Sequence, residues 1–307
     1  MCIALISTAH PTYSLIIINN RDEFLHRPTS SPDWWPEPSS HVLGSRDLAR
    51  STHGTWMGVT KHGKIAVLTN YREDKASEAI GVYSRGLIVN SWLTGPIDKQ
   101  QATREFVQAI VASPEAKQVG GFSLVCGHIN EPLAIVSNRS SDMDHITWVA
   151  TEKNQTRGLS NTSFDDRTWP KILDGEKLME AAIQDHISKQ TEDEDVLIEQ
   201  LLHVLSTDTL PRLSQGETLD TYINHLRKSI FIPVIGEPTE HERAVDSPTN
   251  GFIDQSFTSG AYGTQKQTVL LARPDGRVRY FERTLYDNNA QAVPLGEGDN
   301  SFEFTVR

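Results

Sequence analysis

Residues 2–8, CIALIST, and residues 12–19, TYSLIIIN, are two apolar runs separated by His10-Pro11. Runs of this length that are rich in isoleucine and leucine and bounded by turn residues are typical of β-strands. The pair therefore predicts a β-hairpin. Because the second run is apolar on both faces, we expect it to be a central strand that is covered on both sides.

The rest of the chain predicts further paired strands and blocks of helices. Predicted strands cover residues 55–60, 64–70, 121–126, 133–137, 147–151, 268–273, 277–285 and 302–306. Predicted helices cover residues 86–93, 99–112, 169–189 and 196–205, with Ser84 as the cap of the first and Asp166 or Thr168 as the cap of the third. Residues 27–41, 207–220 and 236–258 are predicted loops. This order favours an α+β fold of two packed sheets with helices outside, in a single domain over residues 1–307.

Composition excludes several classes of protein. The net charge of -11 over 307 residues, without a dense run of lysine and arginine, argues against nucleic acid as a partner. The two cysteines, Cys2 and Cys126, cannot form a disulfide framework and fit a reducing compartment. No metal-binding motif, signal peptide or apolar stretch of spanning length is recognised. We therefore expect a cytoplasmic protein that is not secreted and has no metal site.

Cys2 is the first candidate for chemistry. It follows Met1 directly, so removal of Met1 would expose a residue that carries both an α-amine and a thiol. An α-amine titrates near about 8 and can accept a thiol proton near neutral pH. The alternative is that Cys2 is a small buried hydrophobic residue with no chemical role.

The predicted hairpin brings polar residues towards Cys2. The second strand is expected to run antiparallel to the first, so Arg21 and Asp22, after its end, should lie near the start of the first strand. An arginine and a carboxylate at that place could tune the thiol pKa and orient a substrate. A structural ion pair that closes the sheet edge is an equally good interpretation.

Met1-Cys2 at a strand start and Asn20-Arg21-Asp22-Glu23 after the second strand resemble the NRDE family, also called the transport-and-Golgi-organisation-2 family. Further matching segments are GTWMG (54–58), LTNYR (68–72), SRG (84–86), GLSN (158–161), WPK (169–171) and YGT (262–264). They extend from residue 1 to about residue 272, which is nearly the whole chain. The resemblance implies a four-layer αββα sandwich similar to that of N-terminal nucleophile hydrolases.

The resemblance also implies a site. Its relatives in chemistry are cysteine amidases with an N-terminal Cys, an Asp at the end of the second strand and two oxyanion-site Asn residues. The matching residues are Cys2, Asp22, Asn70 and Asn161, and Arg21 joins them as a catalytic candidate. Those amidases have an Arg three residues before the Asp, where this chain has Asn19, and a neighbouring strand residue such as Arg21 faces the other way. The candidate ligand-binding residues are Asn20, Glu23, Trp56, Arg72 and Arg85.

Two functions of different classes follow. One is Cys-dependent hydrolysis of an amide or thioester in a small acyl ligand. The other, implied by the family, is a non-catalytic carrier or chaperone for haem or acyl-coenzyme A, with roles in haem mobilisation, lipid metabolism and Golgi organisation. A scaffold for a protein partner is a third class that no residue selects. No cofactor is required, and Golgi or mitochondrial association would accompany a cytoplasmic location.

The ligand candidates have structural alternatives. His53 or Met57 beside Trp56 could be an axial ligand of haem, although no haem motif is present. Arg21, Arg72 and Arg85 could contact the phosphates of coenzyme A, or could pair with Glu23 and Glu73 at the surface. Trp34-Trp35 could contact a membrane peripherally, or could fill its own loop.

Overall fold

The computed structural model describes residues 2–72, 84–96, 102–191, 193–212, 222, 224–236 and 260–307. Its strands are β1 (Ile3–Ser7), β2 (Leu15–Phe24), β3 (Asp33–Trp34), β4 (Val42–Gly44), β5 (Met57–Thr60), β6 (Lys64–Asn70), β7 (Phe122–His128), β8 (Leu133–Ser137), β9 (Thr147–Val149), β10 (Thr156–Leu159), β11 (Tyr262–Ala272), β12 (Arg277–Thr284) and β13 (Asp299–Thr305). Its described helices are α1 (Gly86–Leu93), α2 (Ala102–Ala112), α3 (Pro170–Ser188) and α4 (Glu194–Leu205), with a 3-10 turn at Met143–His145.

The strands form two antiparallel sheets. The first sheet has the order β10-β1-β2-β11-β12-β13, and in the second sheet β3 to β9 lie side by side in chain order. In the first sheet β1 pairs with β2 from Ile3 opposite Asn20 to Ser7 opposite Ile16. The predicted hairpin is therefore confirmed.

β2 shows why both faces of this hairpin are apolar. Leu15 and Ile17 belong to the core between the two sheets, whereas Ile16 and Ile18 pack with residues of α3 and α4. All four side chains are buried, and each contributes about 1.5–3 kcal/mol by leaving water. The predicted central, doubly covered strand is confirmed.

The apolar clusters define the order of layers. Met179 of α3 and Leu201 of α4 pack on the outer face of the first sheet. Val89 of α1 and Val107 of α2 pack on the outer face of the second sheet. The inner faces of the two sheets share one further cluster. The predicted four-layer αββα sandwich is confirmed.

The prediction that β2 ends before the polar stretch Asn20-Arg21-Asp22-Glu23 is wrong. β2 continues to Phe24 because β11 provides its partners, with Thr264 opposite Asp22 and Tyr262 opposite Phe24. Polar residues have low strand propensity, but the ladder with β11 outweighs that preference. These side chains therefore alternate between the two faces of the sheet.

Both predicted helix caps are wrong. α1 begins after Arg85, which has no side-chain capping bond, and so Ser84 does not cap it. α3 begins after Trp169, with Pro170 in its first turn, while the hydroxyl of Thr168 donates to Asp166. Pro170 allows this start because the missing N–H would have no helical partner in the first turn.

The remaining differences concern boundaries. The predicted loop 27–41 contains the short strand β3, strand β10 was not predicted, and β11 begins six residues before the predicted 268. Residues 97–101, 213–221 and 237–259, with Met1 and Glu73, lie outside the described residues. The predictions for Met1 and Glu73, for the start of the second helix and for most of two loops fall on them.

The two tryptophans of the predicted loop, Trp34 and Trp35, pack against neighbouring parts of the protein. Trp35 is buried, and its indole N–H donates to the carbonyl O of Gly44 at 2.9 Å. Trp34 packs edge-on against Phe304 at 5.1 Å, with the Lys61 ammonium 4.3 Å from its ring centre. These contacts support the interpretation that the pair fills its own loop.

Candidate active site

The hairpin places Cys2 against the backbone of Asp22. The backbone N–H of Asp22 donates to Cys2 Sγ at 3.4 Å, and Sγ lies 3.7 Å from the carbonyl O of Asp22. Cys2 is buried, and burial together with the negative charge of Asp22 raises the pKa of its thiol. The proximity that we inferred from antiparallel pairing is present, and the thiol is held in its neutral form.

Strand β11 holds Asp22 in place. The hydroxyl of Thr264 donates to Asp22 Oδ1 at 2.7 Å, and the hydroxyl of Tyr262 donates to the carbonyl O of Asp22 at 3.2 Å. Burial raises the pKa of Tyr262, as do the charges of Asp22 and Glu23, so its hydroxyl stays protonated and can donate. The carboxylate beside Cys2 is thus oriented by a strand some 240 residues away in sequence.

The end of β10 contacts Cys2 from the other side. Ser160 Oγ donates to the carbonyl O of Cys2 at 2.7 Å, and Ser160 O accepts a hydrogen bond from the hydroxyl of Thr69 at 2.9 Å. These bonds are made by the chain neighbours of Asn161, which is buried, and of Asn70, which is half-buried at the end of β6. The two amides predicted for the oxyanion site therefore lie at the same end of the sheets as the thiol.

Arg21 has a different place from the one expected. Its guanidinium hydrogen-bonds Gln265, lies 3.4 Å from Asp47 and stacks over Trp56 at 4.7 Å. Its described contacts thus lead away from Cys2, as alternation along β2 requires. Arg21 and Trp56 are both buried, and their stacking is a structural contact.

The other residues predicted to bind ligand divide into two groups. Asn20 is structural, because its side-chain amide donates to the carbonyl O atoms of Leu205 and Ile230 at 2.8 and 2.9 Å. Arg72 donates to the side chain of Asn224 at 3.2 Å in an exposed contact. Glu23 and Arg85 lie close to Cys2. The charge of Glu23 acts on the Cys2 thiol, and the charges of Glu23 and Cys2 act on the Arg85 guanidinium.

Sequence reasoning missed two arginines that lie close to Arg85. Arg27 forms an ion pair with Asp47 at 2.6 Å, and Arg50 makes no side-chain hydrogen bond to any described residue. Burial and the positive charges of Arg27 and Arg50 lower the pKa of Arg85. We call Arg27, Arg50 and Arg85 the arginine rim. Their proximity shows a local excess of positive charge in an acidic protein.

The arginine rim depends on a close backbone contact between Gly54 and Gly86. Gly54 and Gly86 pass so near each other that a Cβ on Gly86 would lie 2.8 Å from the Cα of Gly54. The crossing brings the loop of Arg50 against the start of α1, where Arg85 donates to the carbonyl O of Gly121 at 3.2 Å. A signal existed in the sequence, since both glycines belong to matching segments, but their contact could not be inferred from it.

A third missed residue is Lys171. It is fully buried in the first turn of α3. Burial lowers its pKa, and the charges of Asp22 and Cys2 act in the opposite direction. The signal was a lysine between Pro170 and Ile172 at the start of an amphipathic helix, which we used only as part of a family match.

The two residues considered for haem differ in their surroundings. Met57 is 1% exposed and packs in the core between the sheets, and the carbonyl O of His53 accepts hydrogen bonds from Arg46 and Asn90 in a surface turn. Within the described segments no three His, Cys, Asp or Glu residues form a group that could hold a metal ion. No helix of those segments is long and apolar enough to cross a membrane.

Comparison with known proteins assigns the family. The family model described as Transport and Golgi organisation 2 matches residues 1–287. The chain belongs to this family. A Transport and Golgi organization protein 2 homolog of Homo sapiens is 26% identical over 301 residues, covering 96% of this chain and 94% of the human protein. The Mus musculus homolog is 25% identical over 301 residues, covering 96% and 94%.

Among solved structures, the Caenorhabditis elegans N-acylethanolamine-hydrolyzing acid amidase ortholog is similar to this chain with a TM-score of 0.45 and 15% identity. The match covers 68% of this chain and 87% of the amidase.

Proposed function

We propose that this Transport and Golgi organisation 2 family protein is a Cys2-dependent hydrolase of amides or thioesters in small acyl ligands that carry an acidic group. The observation that supports this most directly is the position of the Cys2 thiol. It contacts Asp22, two amides lie at the same end of the sheets, and Arg85 of the arginine rim lies near it. A nucleophile, an orienting carboxylate, oxyanion donors and an anion-binding group are the parts that acyl transfer needs.

The proposed reaction has two steps. After removal of Met1, the α-amine accepts the thiol proton and the Cys2 thiolate attacks the acyl carbonyl. The side-chain N–H groups of Asn70 and Asn161 stabilise the oxyanion, each by about 3–4 kcal/mol. The C–N or C–S bond breaks, the leaving group takes the proton, and water then hydrolyses the acyl-Cys2 thioester. Asp22 orients the α-amine.

The arginine rim supports the choice of ligand class. Guanidinium groups bind phosphate and carboxylate in forked geometry and keep their charge even when half-buried. Arg50 and Arg85 have no carboxylate partner among the described hydrogen bonds and ion pairs, so an anionic ligand would relieve their repulsion. Acyl-coenzyme A is one ligand with this chemistry.

A non-catalytic carrier is the second candidate, and one observation favours it. Burial raises the pKa of the Cys2 thiol, so that the thiol is not activated without a bound ligand. In this case the same site would hold acyl-coenzyme A without cleaving it. Haem is a weaker candidate because Met57 is not accessible as an axial ligand.

For the cell biology, we propose a cytoplasmic protein that associates with Golgi or mitochondrial membranes through peripheral contacts and acts in lipid metabolism. The family name and the printed names of the relatives support the Golgi part of this proposal. Fractionation of cells that express the tagged protein, with and without a high-salt wash, tests it. Recovery only in the secreted medium would overturn it.

Mass spectrometry separates the two candidate activities. The protein, with Cys126→Ala so that Cys2 is the sole thiol, is incubated with an acyl-coenzyme A and with an N-acyl amide. An acyl adduct on Cys2, followed by release of the free acid, supports hydrolysis. Saturable binding without an adduct supports the carrier, and neither binding nor adduct overturns both.

A further inference from the structure

Asp47 lies in the loop between β4 and β5, and both oxygens of its carboxylate accept hydrogen bonds. Oδ2 accepts from Arg27 Nε at 2.6 Å and lies 3.4 Å from a terminal nitrogen of Arg21. Oδ1 accepts from the backbone N–H of Ala49 at 3.0 Å. Burial alone would raise the pKa of the Asp47 carboxyl, but Arg27 and Arg21 outweigh burial and lower it, so the group is a carboxylate at neutral pH.

The same aspartate fixes the loop that carries Arg50. Ala49 immediately precedes Arg50, so the bond from the Ala49 N–H to Oδ1 holds the backbone at Arg50. The backbone N–H of Asp47 donates to the carbonyl O of Gly54 at 2.7 Å, which closes the loop. Gly54 in turn packs against the start of α1, beside Arg85. Asp47 thus holds Arg27 by its side chain and fixes the loop backbone next to the other two arginines of the rim.

Arg21 joins this group to the strand that contacts Cys2. Its guanidinium also donates to Gln265 Oε1, and Gln265 Nε2 donates to the carbonyl O of Leu25 at 3.1 Å. The peptide N–H that follows Arg21 is the one that donates to Cys2 Sγ at 3.4 Å. A continuous set of contacts therefore runs from the thiol through Arg21 to Asp47.

These bonds leave several guanidinium donors unused. Among the residues that the structure describes, Arg27 bonds through Nε alone, and the Arg50 side chain makes no hydrogen bond. Terminal guanidinium N–H groups bind carboxylate and phosphate in forked geometry. As a point charge, Asp47 repels any anion that approaches these donors, so its place among the arginines opposes anion binding unless it fixes their geometry.

We propose that Asp47 is a positioning residue of the arginine rim, which holds Arg27 and the loop of Arg50 so that their unused N–H groups bind the carboxylate of an acyl ligand. The inference rests on the proposed function, because it concerns the site for the acidic group of that ligand. It goes beyond it in assigning a negatively charged residue the role of increasing the affinity for an anion.

Isothermal titration in a Cys2→Ala background, which prevents turnover, tests this role. The probes are N-decanoylglycine and N-decanoylglycinamide, which differ only in a carboxylate against an uncharged amide. We expect Asp47→Asn to weaken binding of N-decanoylglycine about tenfold, although it makes the rim more positive, and to leave binding of the amide unchanged. Asp275→Asn is the matched control, because it removes the same charge from an exposed pair with Arg277 at 3.0 Å, and should change neither affinity.

Three outcomes would overturn the inference. Unchanged or tighter binding of N-decanoylglycine by folded Asp47→Asn protein would show that Asp47 acts only as a charge or has no role. An equal loss for both probes would show a general disturbance of the site. Equal binding of the acid and the amide by the protein with Asp47 would show that the rim does not select a carboxylate.

A second variant covers a failure to fold, which circular dichroism and thermal unfolding detect. Asp47→Glu keeps the charge, but its longer side chain cannot keep the bonds to both Arg27 and the Ala49 N–H. It should lose affinity for N-decanoylglycine alone, by about threefold. Full affinity in this variant would contradict a positioning role.

The result is separable from the proposed function because binding is measured without the nucleophile. A selective loss in Asp47→Asn, together with no acyl adduct in the Cys126→Ala protein, would support the role of Asp47 and count against hydrolysis. An adduct together with unchanged affinity in Asp47→Asn would support hydrolysis and overturn the role of Asp47.

Discussion

The two cysteines of this chain are both buried, and burial raises the pKa of both thiols. Cys126 lies in β7 between Ala66 of β6 and Ala134 of β8, in the apolar layer between the second sheet and its helices. Cys2 instead contacts Asp22 at the end of the first sheet, in a group that includes Lys171.

This difference teaches that burial alone says little about a cysteine. Around Cys126 burial is the single cause of the raised thiol pKa, and its neighbours offer no charge that could change with a ligand. Around Cys2 several charges of both signs act on the thiol, so a bound ligand or a single substitution can shift its ionisation. Reactivity should therefore separate the two cysteines even though exposure does not.

The prediction with the largest expected effect tests this difference between the two cysteines directly. Cys2→Ala should abolish acyl adduct formation and lower ligand hydrolysis more than about 100-fold, because the nucleophile is removed. Cys126→Ala should leave both unchanged, at a cost of about 1 kcal/mol in stability from lost packing. Adduct mass and product release measure the two variants side by side. Equal activity of the Cys2→Ala protein would contradict the assignment of the nucleophile.

The second prediction concerns the protonation of His10, which lies in the turn of the hairpin that holds Cys2. His10 accepts a hydrogen bond from the N–H of Thr12 at 3.1 Å, its Nε2 lies 3.2 Å from His186 Nδ1, and His186 Nε2 lies 3.2 Å from the carbonyl O of Asp193. This chain of bonds uses neutral rings. Burial and the charge of His186 lower the pKa of His10 to about 4.

The sign of the pH dependence follows. The folded pKa is below the unfolded value of about 6.5, so the unfolded chain binds more protons between these limits. The stabilisation by neutral His10 is complete above pH 6.5 and is lost as the pH falls to about 4. Urea unfolding across this window should show a smaller fall in His10→Gln than in His203→Gln, whose histidine is exposed. Parallel curves would contradict the prediction.

The third effect tests how β11 orients the carboxylate beside Cys2. Thr264→Val removes the hydroxyl that donates to Asp22 Oδ1 and accepts from the N–H of Ile232 at 2.9 Å. We expect a loss of about 2 kcal/mol in unfolding free energy and slower Cys2 alkylation. Thr264→Ser keeps the hydroxyl and should recover most of both. If Val and Ser behave alike in chemical denaturation, the hydrogen bond is not the cause.

The smallest effect concerns the arginine rim. Arg85→Gln should weaken binding of an acidic acyl ligand about tenfold, which corresponds to about 1.4 kcal/mol. Arg72→Gln, at an exposed contact with Asn224, is the matched control and should change affinity little. Isothermal titration measures both, and repetition with an uncharged acyl amide should show no effect of Arg85→Gln. Equal losses of affinity in the two variants would indicate a general effect of net charge and not ligand binding by the arginine rim.

Local sequence patterns predicted the fold to the level of layers. The apolar runs of β1 and β2 are close in sequence and pair through a short turn, so the proximity of Cys2 and Asp22 could be inferred from chain geometry. The helices followed from the spacing of their apolar residues. The predicted caps Ser84 and Asp166 or Thr168 were wrong, because a start can be determined by proline or by a backbone crossing as well as by a hydroxyl side chain.

Long-range pairing decided the rest of the site. The polar half of β2 is a strand because β11, some 240 residues later, supplies its ladder and the hydroxyls that hold Asp22. The arginine rim depends on the crossing of Gly54 and Gly86. Neither contact has a periodic signal that a single sequence could show.

The sequence by itself determined two packed sheets with helices outside and the presence of Cys2 beside Asp22, because these depend on apolar periodicity and on neighbours along the chain. The family followed from its matching motifs. Only the tertiary structure decided which charges surround the thiol. Lys171 and the arginine rim come from a helix start and from loops, and their effect on Cys2 depends on burial and on distances between segments far apart in sequence. Coulomb interactions and desolvation act through space, so the chemistry of this cysteine is a property of the folded chain.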